Sequence, residues 1–289
     1  MIQFHCYPGG KKRVVTFSYD DGFSGDVRLA ELFNRYGVKA TFHINGSHYR
    51  GASAAEKAEA RRVYAGHEIS CHTVRHGWMD KMPASTLINE IMEDRRILED
   101  VAGYPVVGMS YPCGAYTAQV EQAARACGIL YSRTTQNTHG YGLPEDFLAW
   151  HPTCHHKDAL ALAENYLAQI DSIWCQPLFY IWGHSHELRN EDDWAYMEKL
   201  VSTLANNDKI WYATNIEIYD YLSAVRQLRV SADESILYNP TRLDVWVEGD
   251  QGKIICVPAG QMVDSVYMRS SQNSQPNSDT PDMNSRKER

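Results

Sequence analysis

Short apolar runs alternate with helical stretches from residue 14 to residue 225, and this alternation constrains the fold more than any other feature of the chain. Residues 14–19, 40–44, 68–71, 106–111, 129–132, 178–182 and 210–214 read as buried strands. They are too short for helices and are followed by polar or glycine-containing turns. Between them, residues 26–36, 53–64, 85–101, 117–127, 158–172, 192–204 and 215–225 carry helical patterns. In the first of these Leu29, Leu32 and Phe33 share a face and Gly37 stops the helix. Residues 147–151 read as a further short strand. Seven or eight βα units in succession imply a parallel sheet, closed as a barrel or opened as a doubly wound fold. After residue 228 the texture changes. Residues 228–231, 236–238, 243–247 and 253–257 read as short strands of a β appendage spanning 228–268. Residues 269–289 are polar, lack apolar periodicity and read as a disordered tail.

Barrel-type folds place reactive groups just beyond the C-terminal ends of their strands. Asp20, Asp21, His72, His76, Tyr111, Pro112, Arg133 and His184 all fall there. Asp20-Asp21-Gly22 alone reads as a turn. Together with His72-Thr73-Val74-Arg75-His76 it reads as a metal site, since one carboxylate and two imidazoles can hold a hydrolytic divalent ion and leave positions open. A second carboxylate beside them can take up a proton. His72 and His76 are four residues apart, so either one helical turn or a tight loop can aim both rings at one point.

Composition excludes some partners. Lys and Arg total 28 against 36 Asp and Glu, a formal charge of −8, and no basic cluster forms a phosphate track, so nucleic acid is not an expected partner. No segment has the ~20 apolar residues of a membrane span. The N-terminus lacks the basic and apolar regions of a signal peptide. Seven cysteines, an odd number without tight spacing, suit reduced buried thiols. These features together predict a cytoplasmic protein. The 18 Tyr and 7 Trp suit a carbohydrate surface as well as a core.

The order and spacing of Asp20-Asp21-Gly22, His72-Thr-x-x-His76, Tyr111-Pro112-Cys113-Gly114 and Trp182-Gly183-His184 resemble the polysaccharide deacetylases, carbohydrate esterase family four. The resemblance covers roughly residues 13–225. It implies a distorted (β/α)7–8 barrel over residues 1–227 that removes N- or O-linked acetyl groups from a carbohydrate with a divalent metal. That metal is expected to be Zn2+, with Co2+, Ni2+ or Mn2+ as alternatives. By position, Asp21, His72 and His76 resemble the metal ligands, Asp20 the catalytic base and His184 the catalytic acid. The backbone N–H near Cys113 resembles the oxyanion donor, and Tyr111 and Trp182 are expected at the substrate. Glu187 and Asp193 are candidates for raising the pKa of His184.

Two departures from the family pattern stand out. The arginine usual in the fourth-strand motif is replaced in Ser110-Tyr111-Pro112-Cys113, and Arg133 is expected to supply its charge. Arg133→Ala is expected to cut turnover and spare the fold. The third motif is also altered: the nearby stretch is Trp150-His151-Pro152-Thr153-Cys154-His155-His156, in which Cys154-His155-His156 reads as a hydrogen-bonded loop near the site mouth rather than a second metal site. These changes leave two alternatives open, a related amidase acting on a non-sugar amide and a non-catalytic carbohydrate-binding relative.

Overall fold

A parallel sheet of eight strands forms the centre of the molecule in the computed structural model, which describes residues 1–169 and 177–265. The strands are β1 Arg13–Asp21, β2 Ala40–Ile44, β3 Glu68–Cys71, β4 Gly108–Ser110, β5 Tyr131–Arg133, β6 Cys154–His155, β7 Leu178–His184 and β8 Ile210–Tyr212. Their order is β5-β4-β3-β2-β1-β7-β6, and β8 also pairs with β1. One edge of β1 is divided: Phe17 to Asp21 pair with β2, and Arg13 to Val15 pair with β8. The sheet curls until its edges approach. Cys154 and His155 lie on β7, while Trp150, just upstream, makes a parallel bridge with Arg133 of β5. Trp150 N–H donates to Ser132 O and Thr134 N–H to Trp150 O, each at 3.0 Å. One short stretch therefore touches both edges, and the fold is a distorted (β/α) barrel.

Among the described residues, seven α-helices lie between or after these strands: α1 Gly25–Tyr36, α2 Ala54–Val63, α3 Ala84–Ala102, α4 Ala118–Ala126, α5 Ala159–Ala168, α6 Glu191–Leu204 and α7 Asn215–Gln227. Their starts are encoded locally. Ser53 and Glu56, Asn190 and Asp193, and Thr214 and Glu217 form reciprocal caps that satisfy free N–H groups. Asp193 is thus used as a helix cap, which does not support it as the partner of His184. Helix α1 buries Leu29, Ala30, Leu32 and Phe33 and ends at Gly37, whose φ of +65° suits glycine. Phe33 meets Phe17 with ring centroids 4.8 Å apart, tying α1 to the sheet. Truncating such a buried Phe typically costs about 3–5 kcal/mol.

Most expected elements fall within two or three residues of those observed. Residues 147–151 differ. Phe147–Ala149 is a 3-10 turn, because the Asp146 side chain accepts Leu148 N–H at 2.8 Å and closes the chain there. The strand in this region is β6 instead. Beyond α7 lie β9 Arg229–Val230, β10 Ile236–Tyr238, β11 Val245–Glu248, β12 Ile254–Val257 and β13 Met262–Asp264. They form the antiparallel sheets β13-β10-β9 and β11-β12 around Leu237, Val245, Val247, Ile255 and Val257. The Tyr221 hydroxyl of α7 donates to Cys6 O and accepts from Trp246 N–H, joining these sheets to the N-terminal segment. The expected tail at 269–289 and the end of the expected helix at 158–172 lie outside the described residues. No helix among the described residues is long and apolar enough to cross a membrane.

Glu68 sits in the barrel floor. It accepts from Tyr131 Oη at 2.6 Å, Thr41 Oγ1 at 2.9 Å and Ile216 N–H at 2.9 Å. Burial nonetheless dominates and pushes its pKa up to about 7, against the pull of these donors. A carboxyl whose folded pKa is raised stabilises the fold fully below its unfolded value of ~4.3, and this contribution fades as pH climbs through its folded value. Stability is therefore expected to fall between about pH 4 and 7, with Glu68 contributing up to ~3 kcal/mol of that change. Thermal melts of Glu68→Gln across this range should show a flatter pH profile than wild type. A profile of equal slope would remove Glu68 as the cause.

Candidate active site

The sequence brings its polar groups to one rim of the barrel because Asp20 and Asp21 end β1, His72 follows β3, Ser110 ends β4, Arg133 ends β5 and His184 ends β7. In register, Asp20 lies between His43 of β2 and His184. At Asp21 the backbone turns left-handed with φ 78°, followed by Gly22, also at φ 78°. A Cβ on Gly22 would lie 2.7 Å from Ile44 Cγ2, so only glycine fits beside β2. His72 and His76 leave a tight loop rather than a helix, with Thr73 at φ 61° and His76 at φ 54°. This loop is held from behind. Asn45 Nδ2 donates to His72 O and Thr73 O, Asp94 Oδ2 accepts His72 N–H at 2.9 Å, and Thr73 Oγ1 accepts His76 N–H at 3.1 Å.

Asp21, His72 and His76 offer ligand atoms within 4.8 Å of one another. Asp21 Oδ1 lies 3.4 Å from His72 Nε2 and 3.3 Å from His76 Nε2, yet this buried oxygen has no hydrogen-bond partner. The His72 ring explains why. Its Nδ1 is 3.0 Å from Ser110 O, a carbonyl that can only accept, so the proton sits on Nδ1 and Nε2 presents a lone pair. Burial lowers the His72 pKa despite the nearby Asp20 and Asp21, favouring the neutral ring. An orphaned carboxylate oxygen between two imidazole nitrogens fits a divalent cation.

Asp20 is almost wholly buried beside this group. Arg133 Nη2 donates to its Oδ2, and Ser110 Oγ donates to its Oδ1 at 3.0 Å. Burial resists the charge on Asp20, but Arg133, His72, His43 and His184 outweigh it and hold the carboxyl well below the usual range. Arg133 is itself fully buried. Its Nε donates to Ser18 Oγ at 3.1 Å, its Nη1 to Thr134 O at 2.9 Å, and its guanidinium lies 4.5 Å over the Trp182 ring. The expectation that Arg133→Ala spares the fold is therefore revised: the change would strand a buried carboxylate and open a void.

His184 stands on the opposite side. Its Nε2 is 4.0 Å from Asp21 Oδ2 and its Nδ1 is 3.5 Å from Glu187 Oε2, an ion-pair rather than a hydrogen-bond separation. Burial works against its charge, but Glu187, Asp20 and Asp21 raise its pKa overall. His186 is exposed at the rim against Phe23. Cys113 is exposed at φ 56° in a 3-10 turn whose own hydrogen bonds use the N–H groups of Gly114 and Ala115. Burial, with Asp21 and Asp80 nearby, raises the Cys113 thiol pKa.

Two expected substrate contacts are placed differently. Tyr111 is fully buried, donates to Leu148 O at 2.8 Å and stacks on Tyr116, so its side chain belongs to the core. Trp182 is 8% exposed, with Arg133 on its face, His155 at its edge and its Nε1 donating to Asn137 Oδ1, so it forms wall rather than open platform. Trp78, two residues after His76, is 58% exposed. Sequence reasoning missed Ser110, which links Asp20 to His72, and Asp94, which fixes the loop. Ser110 stands in the quoted strand-end motif, whereas Asp94 comes from the middle of α3 and carries no local signal.

The polysaccharide deacetylase family model matches residues 8–132. A bifunctional xylanase/deacetylase from Pseudobutyrivibrio xylanivorans is 30% identical over 96 residues, 33% of this chain and 16% of that protein. The peptidoglycan-N-acetylglucosamine deacetylase PgdA of Listeria monocytogenes is 28% identical over 125 residues, 43% of this chain and 26% of that protein. The chain thus spans only about a sixth to a quarter of the length of these curated relatives. Among solved structures, a candidate polysaccharide deacetylase from Mycobacterium smegmatis superposes with a TM-score of 0.58 at 18% identity, covering 76% of this chain and 93% of that one. That likeness is one of fold. Residues 8–132, a little under half of the chain, thus match the polysaccharide deacetylase family as a domain.

Proposed function

We propose that this chain is a metal-dependent hydrolase that removes acetyl groups, N- or O-linked, from a carbohydrate. The observation that carries this reading is the unpartnered Asp21 Oδ1 between His72 Nε2 and His76 Nε2, with Asp20 and His184 on either side. Asp21, His72 and His76 would hold the ion, and this mixed oxygen and nitrogen donor set suits zinc while also accepting cobalt, nickel or manganese. When bound, such an ion polarises an acyl oxygen and makes water more acidic.

The remaining chemistry belongs to the chain. Asp20 is ionised at neutral pH and accepts a proton from water. Arg133 and Ser110 fix its carboxylate plane, so the accepting lone pair is aimed before substrate arrives. Arg133 also weakens Asp20 as a base. His184, whose charged form Glu187 favours, gives a proton to the departing nitrogen or oxygen. The Cys113 N–H steadies charge on the acyl oxygen. The exposed indole of Trp78 offers a face for a sugar ring. The relatives named as acting on N-acetylglucosamine in peptidoglycan and on xylan suggest which acetylated polymers to try first.

The test is acetate release from chitooligosaccharides, peptidoglycan fragments, acetyl-xylan and acetylated monosaccharides, with non-sugar acetamides and cyclic amides in parallel. Acetate from at least one sugar in zinc-loaded protein is expected. Hydrolysis of the amides alone would replace this reading with the amidase. Sugar binding without turnover would replace it with a carbohydrate-binding relative.

A further inference from the structure

An open cavity of about 450 Å³ lies where the barrel meets the C-terminal β sheets. Trp211 of β8, Asp220 and Tyr221 of α7, and Arg242, Asp244 and Trp246 at β11 are among the residues that line it. Trp211 pairs with Val14, near the start of β1, whereas Asp20 and Asp21 end that strand. At ~3.3 Å per residue, the cavity is roughly 20 Å from the candidate active site. Its volume falls in the ~300–1,000 Å³ range of small-molecule sites.

The walls are fixed before any ligand arrives. The Tyr221 hydroxyl accepts Trp246 N–H at 3.1 Å and donates to Cys6 O at 2.8 Å, and its ring meets Trp211 edge-on with centroids 5.5 Å apart. The turn that carries Arg242 is braced by the fully buried Asn239. Asn239 Nδ2 donates to Leu243 O at 2.7 Å and Val257 O at 2.9 Å, while its Oδ1 accepts Thr241 N–H at 3.0 Å. Charge at the cavity is nearly balanced. Glu217, at its edge, is engaged by Lys39 and by Thr214 N–H, and Asp244 accepts Ala259 N–H at 2.8 Å. Among the described residues, Asp220 and Arg242 have no hydrogen-bond or ion-pair partner. One carboxylate and one guanidinium are therefore left for a ligand, between two half-buried indoles.

We infer that this cavity is a saccharide-binding site, separate from the reaction, that takes pyranose units of a glycan. An indole presents an electron-rich apolar face, which the C–H side of a sugar ring can cover. A carboxylate accepts two hydrogen bonds in its plane and a guanidinium donates two, so the pair matches neighbouring hydroxyl groups acting as donors and as acceptors. An organic cation would meet Arg242 and an anion would meet Asp220, so the free charges select a neutral, polyhydroxylated ligand. A long glycan held here stays at high local concentration while another part of it reaches the rim of the barrel. That consequence rests on the activity proposed above, whereas the binding itself does not.

The experiment titrates chitohexaose, xylohexaose and cellohexaose, with tetramethylammonium as a control cation, into metal-stripped full-length protein by calorimetry. At least one hexasaccharide is expected to bind wild type with a dissociation constant below about 1 mM. Asp220→Ala/Arg242→Ala and Trp246→Ala are each expected to weaken that binding at least tenfold. Asp220 and Arg242 are exposed, so their removal spares the core. Affinity equal to wild type in the double variant would overturn the site, as would no heat from any hexasaccharide at millimolar concentration. Tetramethylammonium bound in place of every saccharide would make the cavity a cation site instead. A crystal of wild type soaked in the tightest hexasaccharide gives an independent answer: a sugar ring between Trp211 and Trp246 supports the site, and sugar found only at the barrel rim removes it. Because the readout is binding without metal, protein that releases no acetate but binds sugar here would overturn the proposed activity and leave this site standing.

Discussion

Replacing Asp20 by Asn is expected to slow acetate release about 10³-fold, the usual order for losing a general base. The amide keeps the shape of the carboxylate, so Ser110 and His72 keep their places. It cannot take the proton of the attacking water. Zinc binding should persist, because Asp21, His72 and His76 are untouched, and kcat should fall far more than KM changes. The substitution also leaves the Arg133 charge buried without its counterion, so the melting temperature should drop although the protein folds at room temperature. The check is steady-state kinetics beside a zinc titration of the same sample. Turnover within tenfold of wild type would remove Asp20 from the chemistry.

Arg133→Met should have the next largest effect, on stability and turnover together. Asp20 is then a buried carboxylate facing an apolar chain, and breaking one partner of a buried pair typically costs about 3–5 kcal/mol. With Arg133 gone, the largest pull against burial is lost, so the Asp20 pKa rises and the acid limb of activity should shift to higher pH. The sign follows from the cause: removing a cation makes the charged carboxylate harder to form. The Asp20→Asn/Arg133→Met double variant should melt above Arg133→Met alone, because no unpaired charge remains. Chemical denaturation of the four proteins gives the coupling energy. A coupling near zero would mean that Arg133 acts through Ser18, Thr134 and Trp182 rather than through Asp20.

The barrel was legible because its pattern is long and repeated. The apolar run at 14–19 and the face made by Leu29, Leu32 and Phe33 each specify an element locally, and seven such units leave few alternatives. The short pieces were not legible. Strand β6 is two residues long and exists because Cys154 and His155 find β7, while the turn at Phe147–Ala149 depends on one Asp146 hydrogen bond. The exposed strand β13, Met262–Asp264, offers no apolar alternation to read.

The candidate site divides in the same way. Asp20, Asp21, His72, His76, Arg133 and His184 could be listed from their positions after strands, and the fold brings them to one rim. What the sequence did not convey is which way each side chain turns. Tyr111 points into the core although it sits among site residues, because its hydroxyl finds Leu148 O. Asp94 reaches the His72 loop from the middle of α3, 22 residues further along the chain. Glu187 gathers His155, His156, Lys157 and His184 only once β6 and β7 are paired.

The central claim is that Asp21, His72 and His76 hold the ion on which turnover depends. Its most direct test follows zinc uptake and acetate release together as zinc is returned to metal-stripped wild type and to His76→Ala. The account predicts that stripped wild type is inactive and that activity climbs with the first equivalent of zinc bound. His76→Ala should then need far more zinc for both. Acetate release from stripped protein in excess chelator, equal to that of the loaded enzyme, would contradict it.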